Sequence, residues 1–539
     1  MTNRLATLAR LAALAAASSP TASYGEGGGE ARAAQPHEGG REGPPLNEEE
    51  LRARLAAIVA TTPPAASNER AQRASERGPK APRIEMALTG RPKGAPMSVQ
   101  VADIASGRIL FAADADRPQN PASNVKLVTS FAALARLTPQ YRFRTVLHGD
   151  TLEGDRVVGN LYLRGFGDPT LVSETLTLLA EDLQTLGVRR VTRDLVVDDG
   201  FFDGERFPSG YASIDSADPN AAYRAPTGAV SLNFNTLRVL VRPTRPGAAA
   251  HVAVDPPSEY VRLLAGVATV AAGASRVSAT ATALPGRLAI EVRGQIRAGA
   301  EPVELRRRVA EPALYAGHTL RAALARYGVR IDGKVRRGSA PASRGSQGPA
   351  ILATRASEPL GVIVREVNKL SQNFMAEQLL KTLGAETRGA PGTTASGLEA
   401  VADELARIGV PRGAFTLQNG SGLGDASRLS AAQIVAVLRA AWHDFRIAPD
   451  FVASLALAGA DGTLGHRLIG TPAERLVRAK TGTLDGVTAL SGYVGGIAGA
   501  ARGPLAFSVL IAGAPGGQAR PIADKIAAEL AAYVAGPAR

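Results

Sequence analysis

The chain has 539 residues, more than a single hydrophobic core usually organises, so two or three domains are expected. Hydrophobic residues make up 45% and charged residues 21%, no apolar run approaches the ~20 residues that span a bilayer, and cysteine is absent, which excludes disulfides, thiolate metal sites and a cysteine nucleophile. The net charge of +13 does not mark a nucleic-acid site: eight of the 62 basic residues are lysines, the arginines are dispersed rather than clustered, and at most a peripheral attraction to an anionic wall or membrane surface follows.

Arg4 and Arg10 flank a small apolar start, Leu11 to Ala17 forms a short hydrophobic stretch, and Thr21, Ala22 and Ser23 make a small-residue cleavage region, so residues 1–23 read as a secretory signal. That address implies an exported, periplasmic protein. Residues 24–82 are rich in Gly, Pro, Ala, Glu and Arg and read as linker. The exception is 47–60, where Leu51, Leu55 and Ile58 recur at helical spacing behind Glu48, Glu49 and Glu50, predicting a helix able to dock on a folded domain.

SVQVADIASGRILFAA, beginning at Ser98, alternates on both sides of Ala105, Ser106 and Gly107 and predicts a hairpin. A helix follows from about Ser123 to Leu137, with Val125, Val128, Phe131, Ala132 and Ala135 on one stripe. Residues 151–351 change to short alternating stretches between Gly and Pro turns, predicting a β-rich insert. From Leu360 the pattern returns to long helices, one of them running through NKLSQN, then to strands RLVRAKTGT, GVTALSGYVGG and LAFSVLIAG and a closing helix near Ala523 to Val534. The expected fold is α+β, an antiparallel sheet flanked by helices built from 83–150 and 352–539 and interrupted by the insert.

Three short motifs carry chemistry. Ser123 and Lys126 form SxxK, whose i, i+3 spacing on a helix puts a hydroxyl nucleophile beside an amine that can take its proton. Lys126 is the only lysine with a serine three residues earlier. Ser371 and Asn373 form SxN, in which a hydroxyl can pass a proton to a leaving amine and an amide can hold a carbonyl. Ser231 and Asn233 match the same pattern, but on an alternating stretch of the insert, where a structural hydrogen bond is the better reading. Lys480, Thr481 and Gly482, continued by Thr483, form KTG on a strand, where an ammonium and two hydroxyls suit a substrate carboxylate and glycine admits substrate to the backbone. Six histidines lack paired metal spacing, so neither metal nor cofactor is expected.

The order SxxK, SxN, KTG is that of penicillin-binding proteins and class A β-lactamases. The first two motifs lie 248 residues apart, far more than in a β-lactamase, and the last two 109 apart. With PASNVKLVTSFAALARL, GDPTL from Gly167, AEQLL, NGSGL from Asn419, AGADGTL from Ala458 and AKTGTL, the chain resembles the class C low-molecular-mass penicillin-binding proteins, the D-alanyl-D-alanine carboxypeptidase/endopeptidase family, over about 97–535. The resemblance implies a transpeptidase-like domain interrupted by two small domains, with peptidoglycan peptides as substrates and β-lactams as covalent inhibitors. It implies Ser123 as nucleophile, Lys126 as base, Ser371 as proton relay, Asn373 orienting substrate, and Lys480, Thr481 and Thr483 on the terminal carboxylate, with the amides of Ser123 and Thr483 as oxyanion hole. It further implies that Asp215, four residues after Tyr211, receives the amine of a diaminopimelyl side chain. Asn419, Gly424 and Asp425 depart from the family's usual Asp, Ser and Arg. The competing readings are a β-lactamase and a catalytically silent wall-binding protein.

Overall fold

The computed structural model describes residues 46–61, 96–211, 221–341, 349–497, 500 and 502–536. The chain enters through helix α1 (Glu48–Ala60), whose Asn47 cap accepts the Glu50 amide at 2.8 Å. A hairpin, β1 (Met97–Asp103) and β2 (Ile109–Ala113), leads to a single 3₁₀ turn (Ala122–Asn124) and helix α2 (Val125–Leu137), so the helix expected from Ser123 tightens over its first three residues.

The insert opens with β3 (Arg144–Glu153) and β4 (Arg156–Gly165), followed by α3 (Ser173–Thr185), β5 (Arg190–Val191) and β6 (Leu195–Asp198). It continues with β7 (Thr236–Arg242), β8 (His251–Asp255), β9 (Val261–Val270), β10 (Arg276–Leu284), β11 (Arg287–Arg297) and β12 (Val303–Arg308). It ends with α4 (Pro312–Arg326), β13 (Arg330–Ile331), β14 (Val335–Arg337) and β15 (Ala350–Ala356). Because β15 pairs along β3, the sheet reaches past the expected limits of 151 and 351 on both sides. Two helices, α3 and α4, were not foreseen in a β-rich segment; Leu176, Leu179, Ala180 and Leu183 of α3 and Leu320, Ala323 and Leu324 of α4 are buried at helical spacing. The seven-stranded mixed sheet and the two three-stranded sheets, β10-β11-β9 and β12-β7-β8, share one contiguous apolar interior, which joins the two expected subdomains.

The chain then forms α5 (Leu360–Lys369), α6 (Asn373–Arg388), α7 (Thr394–Arg407), α8 (Ala431–His443) and α9 (Ala448–Ser454). Strands β16 (Ala456–Leu457), β17 (Val477–Leu484), β18 (Val487–Val494) and β19 (Leu505–Ala512) follow, and α10 (Gly516–Ala535) closes the chain, starting seven residues before its expected onset. The sheet order is β16-β17-β18-β19-β1-β2, antiparallel throughout, so the hairpin of the N-terminal half completes a sheet made by the C-terminal half.

Strand alternation gives this sheet two apolar faces. Ala102, Ala489, Tyr493, Ala506 and Leu510 pack on the layer of α2 and α5 to α9. Val99, Val101, Val477, Ala479, Leu490, Val494, Phe507, Val509 and Ile511 pack on α1 and α10. Val477 and Ala479 therefore commit the even-numbered residues of β17, Lys480 and Gly482 among them, to the face on which α2 sits.

The expected helix at 47–60 docks as its spacing predicted: Leu51, Leu55 and Ile58 are buried with Ile526 and Leu530 of α10. Leu55→Ala would leave a cavity there and should lower stability by about 2 to 5 kcal/mol in equilibrium denaturation, without changing the active-site geometry.

Candidate active site

Ser123 lies on the 3₁₀ turn, preceded by Ala122 at φ +46, a conformation that non-glycine residues adopt rarely and that surrounding contacts must impose. Those contacts are visible. Asn120 Oδ1 accepts the Ala122 amide at 2.9 Å, and Asn124 Nδ2 donates to Ser491 Oγ at 2.8 Å, which continues to Ser508 Oγ at 2.9 Å, tying the turn to β18 and β19 through a buried polar chain. The chain crosses the sheet from the side of the helices, so the turn cannot slide along it.

One turn further, Lys126 is 0% exposed. Its Nζ stands 3.1 Å from Ser123 Oγ, 2.7 Å from Asn373 Oδ1 and 2.7 Å from the Ser421 carbonyl. Three acceptors match three ammonium protons; a neutral amine would donate to Asn373 and Ser421 and offer its lone pair to the Ser123 hydroxyl. Burial pulls the pKa of Lys126 down to about 7, and the Glu377 carboxylate acts in the opposite direction. Desolvation is the larger of the two effects.

The SxN motif is not inside a continuous helix. α5 ends at Lys369, Ser371 takes φ +58, and α6 begins at Asn373. Breaking the helix lets Ser371 Oγ meet Lys480 Nζ at 2.9 Å while Asn373 meets Lys126. Lys369 pairs with Asp461, which clamps the break to the loop carrying Thr463. The second SxN match behaves differently: Ser231 sits in a loop rather than on a strand, buried, donating to the Gly228 carbonyl at 2.7 Å and accepting from Asn235 at 2.8 Å, a structural role.

Lys480 is also 0% exposed, bonded to Ser371 and, at 2.7 Å, to its neighbour's carbonyl at Thr481. Burial first, and then the charge of Lys126, push its pKa well below the ordinary lysine range. Thr481 Oγ1 donates to Thr463 Oγ1 at 2.8 Å, and Thr483 is exposed at the end of the row. β16 pairs only with Arg478 and Ala479, so from Lys480 onward this edge of β17 has no strand partner among the described residues. The Ala458 amide bonds to the Val477 carbonyl, and by alternation the backbone groups of Thr481 and Thr483 face the same open side. An extended peptide could lie along it.

Sequence reasoning missed Glu377, Asn419, Ser421 and Thr463 as parts of this architecture. AEQLL, NGSGL and AGADGTL already contain four of them, but nothing local says that they meet the three motifs. The departure at Asn419 has a physical account: its Nδ2 donates to the carbonyls of Leu423 at 2.7 Å and Ser209 at 2.9 Å, which a carboxylate could not do. Gly424, at φ +110, has Gly210 and Gln418 where a side chain would go. Asp215 lies outside the described residues. Among the described residues, no group of three or more His, Asp or Glu side chains is placed to hold a metal ion, and no helix is long and apolar enough to cross a membrane.

With this geometry in place, comparison with known proteins is decisive. Residues 81–533 match the model of the D-Ala-D-Ala carboxypeptidase 3 (S13) family. The chain belongs to that family. It is similar to a D-alanyl-D-alanine carboxypeptidase of Actinomadura sp. (strain R39), 37% identical over 457 residues, covering 82% of each chain. It is also similar to the D-alanyl-D-alanine carboxypeptidase DacB of Haemophilus influenzae, 25% identical over 379 residues, covering 69% of this chain and 77% of that one. The crystal structure of penicillin binding protein 4 (dacB) from Haemophilus influenzae superposes with a TM-score of 0.68 at 24% identity, covering 82% of this chain and 97% of that one. The fold is accordingly α+β and transpeptidase-like.

Gly482 lies where β17 meets the turn of Ser123. A Cβ there would lie 2.8 Å from the Pro121 carbonyl oxygen, 3.0 Å from Ala489 Cβ and 3.2 Å from Ala122 Cβ, between β17 and the turn bearing Ser123. Gly482→Ala should therefore wedge the turn off the strand and reduce acylation about 10- to 100-fold, measured by the rate of labelling with a fluorescent penicillin.

Proposed function

We propose that this serine-type carboxypeptidase cleaves D-alanyl-D-alanine bonds of peptidoglycan stem peptides through an acyl-enzyme on Ser123, opens D-alanyl cross-links in the same way, and is acylated covalently by β-lactams. The observation that carries the reading is the fully buried Lys126 amine 3.1 Å from Ser123 Oγ, brought to a pKa of about 7 by its burial. The family relatives named as D-alanyl-D-alanine carboxypeptidases support the substrate, and the same Haemophilus influenzae protein is known complexed with a β-lactam.

In this reading neutral Lys126 takes the Ser123 proton as Oγ attacks the penultimate D-alanyl carbonyl carbon. The resulting oxyanion sits against the amides of Ser123 and Thr483, the latter on the open side of β17. Collapse of the tetrahedral intermediate breaks the peptide bond, and the departing D-alanine nitrogen receives its proton through Ser371, which is already bonded to Lys480. Lys480, Thr481 and Thr483 hold the terminal carboxylate, and Asn373 orients the acyl side while keeping Lys126 in place. Water then hydrolyses the ester and restores Ser123. The N-terminal segment supports export to the periplasm, where this substrate is found, and Asp215 remains a candidate for the diaminopimelyl amine.

Two measurements test this. Ser123→Ala should abolish both fluorescent-penicillin labelling and D-alanine release from purified muropeptides while leaving the melting temperature nearly unchanged; retained labelling would sink the assignment, and rapid loss of label from the wild type would point to a β-lactamase instead. The base must be neutral, so lowering the pH through the pKa of Lys126 protonates it and shuts off attack. The acylation rate should rise with pH, with its midpoint near 7.

A further inference from the structure

We propose that Glu377 is a positioning residue for acylation: its carboxylate fixes the backbone of the 419–423 loop so that the Ser421 carbonyl holds Lys126 against Ser123. The inference rests on the reading of Lys126 as base and deepens it. Glu377 lies one helical turn after Asn373 on α6, on the same face, and is 1% exposed. No lysine or arginine forms an ion pair with it among the described residues. Its two oxygens are instead divided between two successive backbone amides, Oε2 accepting from Gly420 at 3.0 Å and Oε1 from Ser421 at 2.8 Å. α6 thus reaches Lys126 twice, directly through Asn373 and indirectly through the loop that Glu377 grips.

The loop itself is built to transmit that grip. Thr129 Oγ1, on the helix of Lys126, donates to the Gly420 carbonyl at 2.8 Å. Asn419 Oδ1 accepts the Gly422 amide at 2.8 Å. Gly422, at φ +75, lets the loop pass so close to the nucleophile turn that a Cβ would lie 1.9 Å from the Ala122 carbonyl oxygen. With both neighbouring peptide groups held, the Ser421 carbonyl has one direction left, toward Nζ. Two of the three acceptors around Lys126 are then set from α6, and the third direction belongs to Ser123.

The charged and titratable groups facing the carboxylate are Lys126 from α2 and Tyr211 from the insert, with Lys480 of β17 beyond Lys126. Burial raises the pKa of Glu377, while Ser421, the two amides and Lys126 act to lower it. Its negative charge favours the ammonium form of Lys126, so removing it must move the acid limb of acylation to lower pH.

The test is the pH dependence of acylation by a fluorescent penicillin in Glu377→Gln. Glutamine keeps one acceptor but turns an NH₂ toward a backbone N–H, so the loop must shift. The limiting rate should fall by about tenfold or more, and the acid limb should move to lower pH. A folded variant with the wild-type rate overturns the proposal, and so does a lower rate with an unmoved limb, which is what general softening would produce. Should Glu377→Gln fail to fold, Glu377→Asp replaces it: the retained charge leaves the limb in place while the shorter reach lowers the rate at an unchanged melting temperature, and an unchanged rate, or a lower rate that comes with a lowered melting temperature, overturns the proposal. Lys126→Ala in the same assay separates the two readings, because normal acylation without Lys126 refutes the base and not the loop geometry.

Discussion

The ε-amino group of Lys126 is taken wholly out of water, and most of the architecture around Ser123 follows from having to tolerate it. An ammonium in a protein interior costs on the order of several kcal/mol unless every proton is placed. Here the placement is complete, and it uses three separated parts of the chain: the turn of Ser123, the start of α6 and the loop at Ser421. The same desolvation that makes the charge costly makes the neutral amine accessible near physiological pH, which is what a base requires. Stability and chemistry meet in one atom.

Lys480, within reach of the charge of Lys126, repeats the problem and is handled differently. Its partners, Ser371 Oγ and the Thr481 carbonyl, leave it one donor short of saturation. Two buried lysines of like charge cannot both be strongly basic, and the pKa of each is lowered, by burial first.

Helix α6 joins this site to the insert. Asn373, Glu377 and Lys381 recur every four residues along it. Lys381, itself buried, donates to Asp203 Oδ1 at 2.6 Å, while Gln378 Nε2 donates to the Gly228 carbonyl at 2.9 Å. One helix therefore meets Lys126 at its start and loops of the insert further along. The insert is thus tied to α6 through buried polar contacts.

Local physics made several features legible from residues alone. The spacing of Leu51, Leu55 and Ile58 announced a docked helix, and alternation in β1 and β2 announced a hairpin. The order and types of the three motifs singled out the serines, lysines, asparagine and threonines that the structure brings together, because those side chains carry their chemistry wherever they are placed. The helices α3 and α4 were equally periodic but were obscured by strand-like neighbours. What sequence could not contain was any relation between distant segments. The break at Ser371 falls within a stretch that reads as helix, and it brings Ser371 to Lys480. Glu377 looks like an ordinary helical glutamate until the loop 44 residues later folds onto it. The pKa of Lys126 is likewise a property of its enclosure. Reactivity types were written in the residues, whereas burial, register and the meeting of α2, α6, β17 and the 419–423 loop were decided by tertiary packing, because desolvation and hydrogen-bond saturation exist only once those segments close around the same atoms.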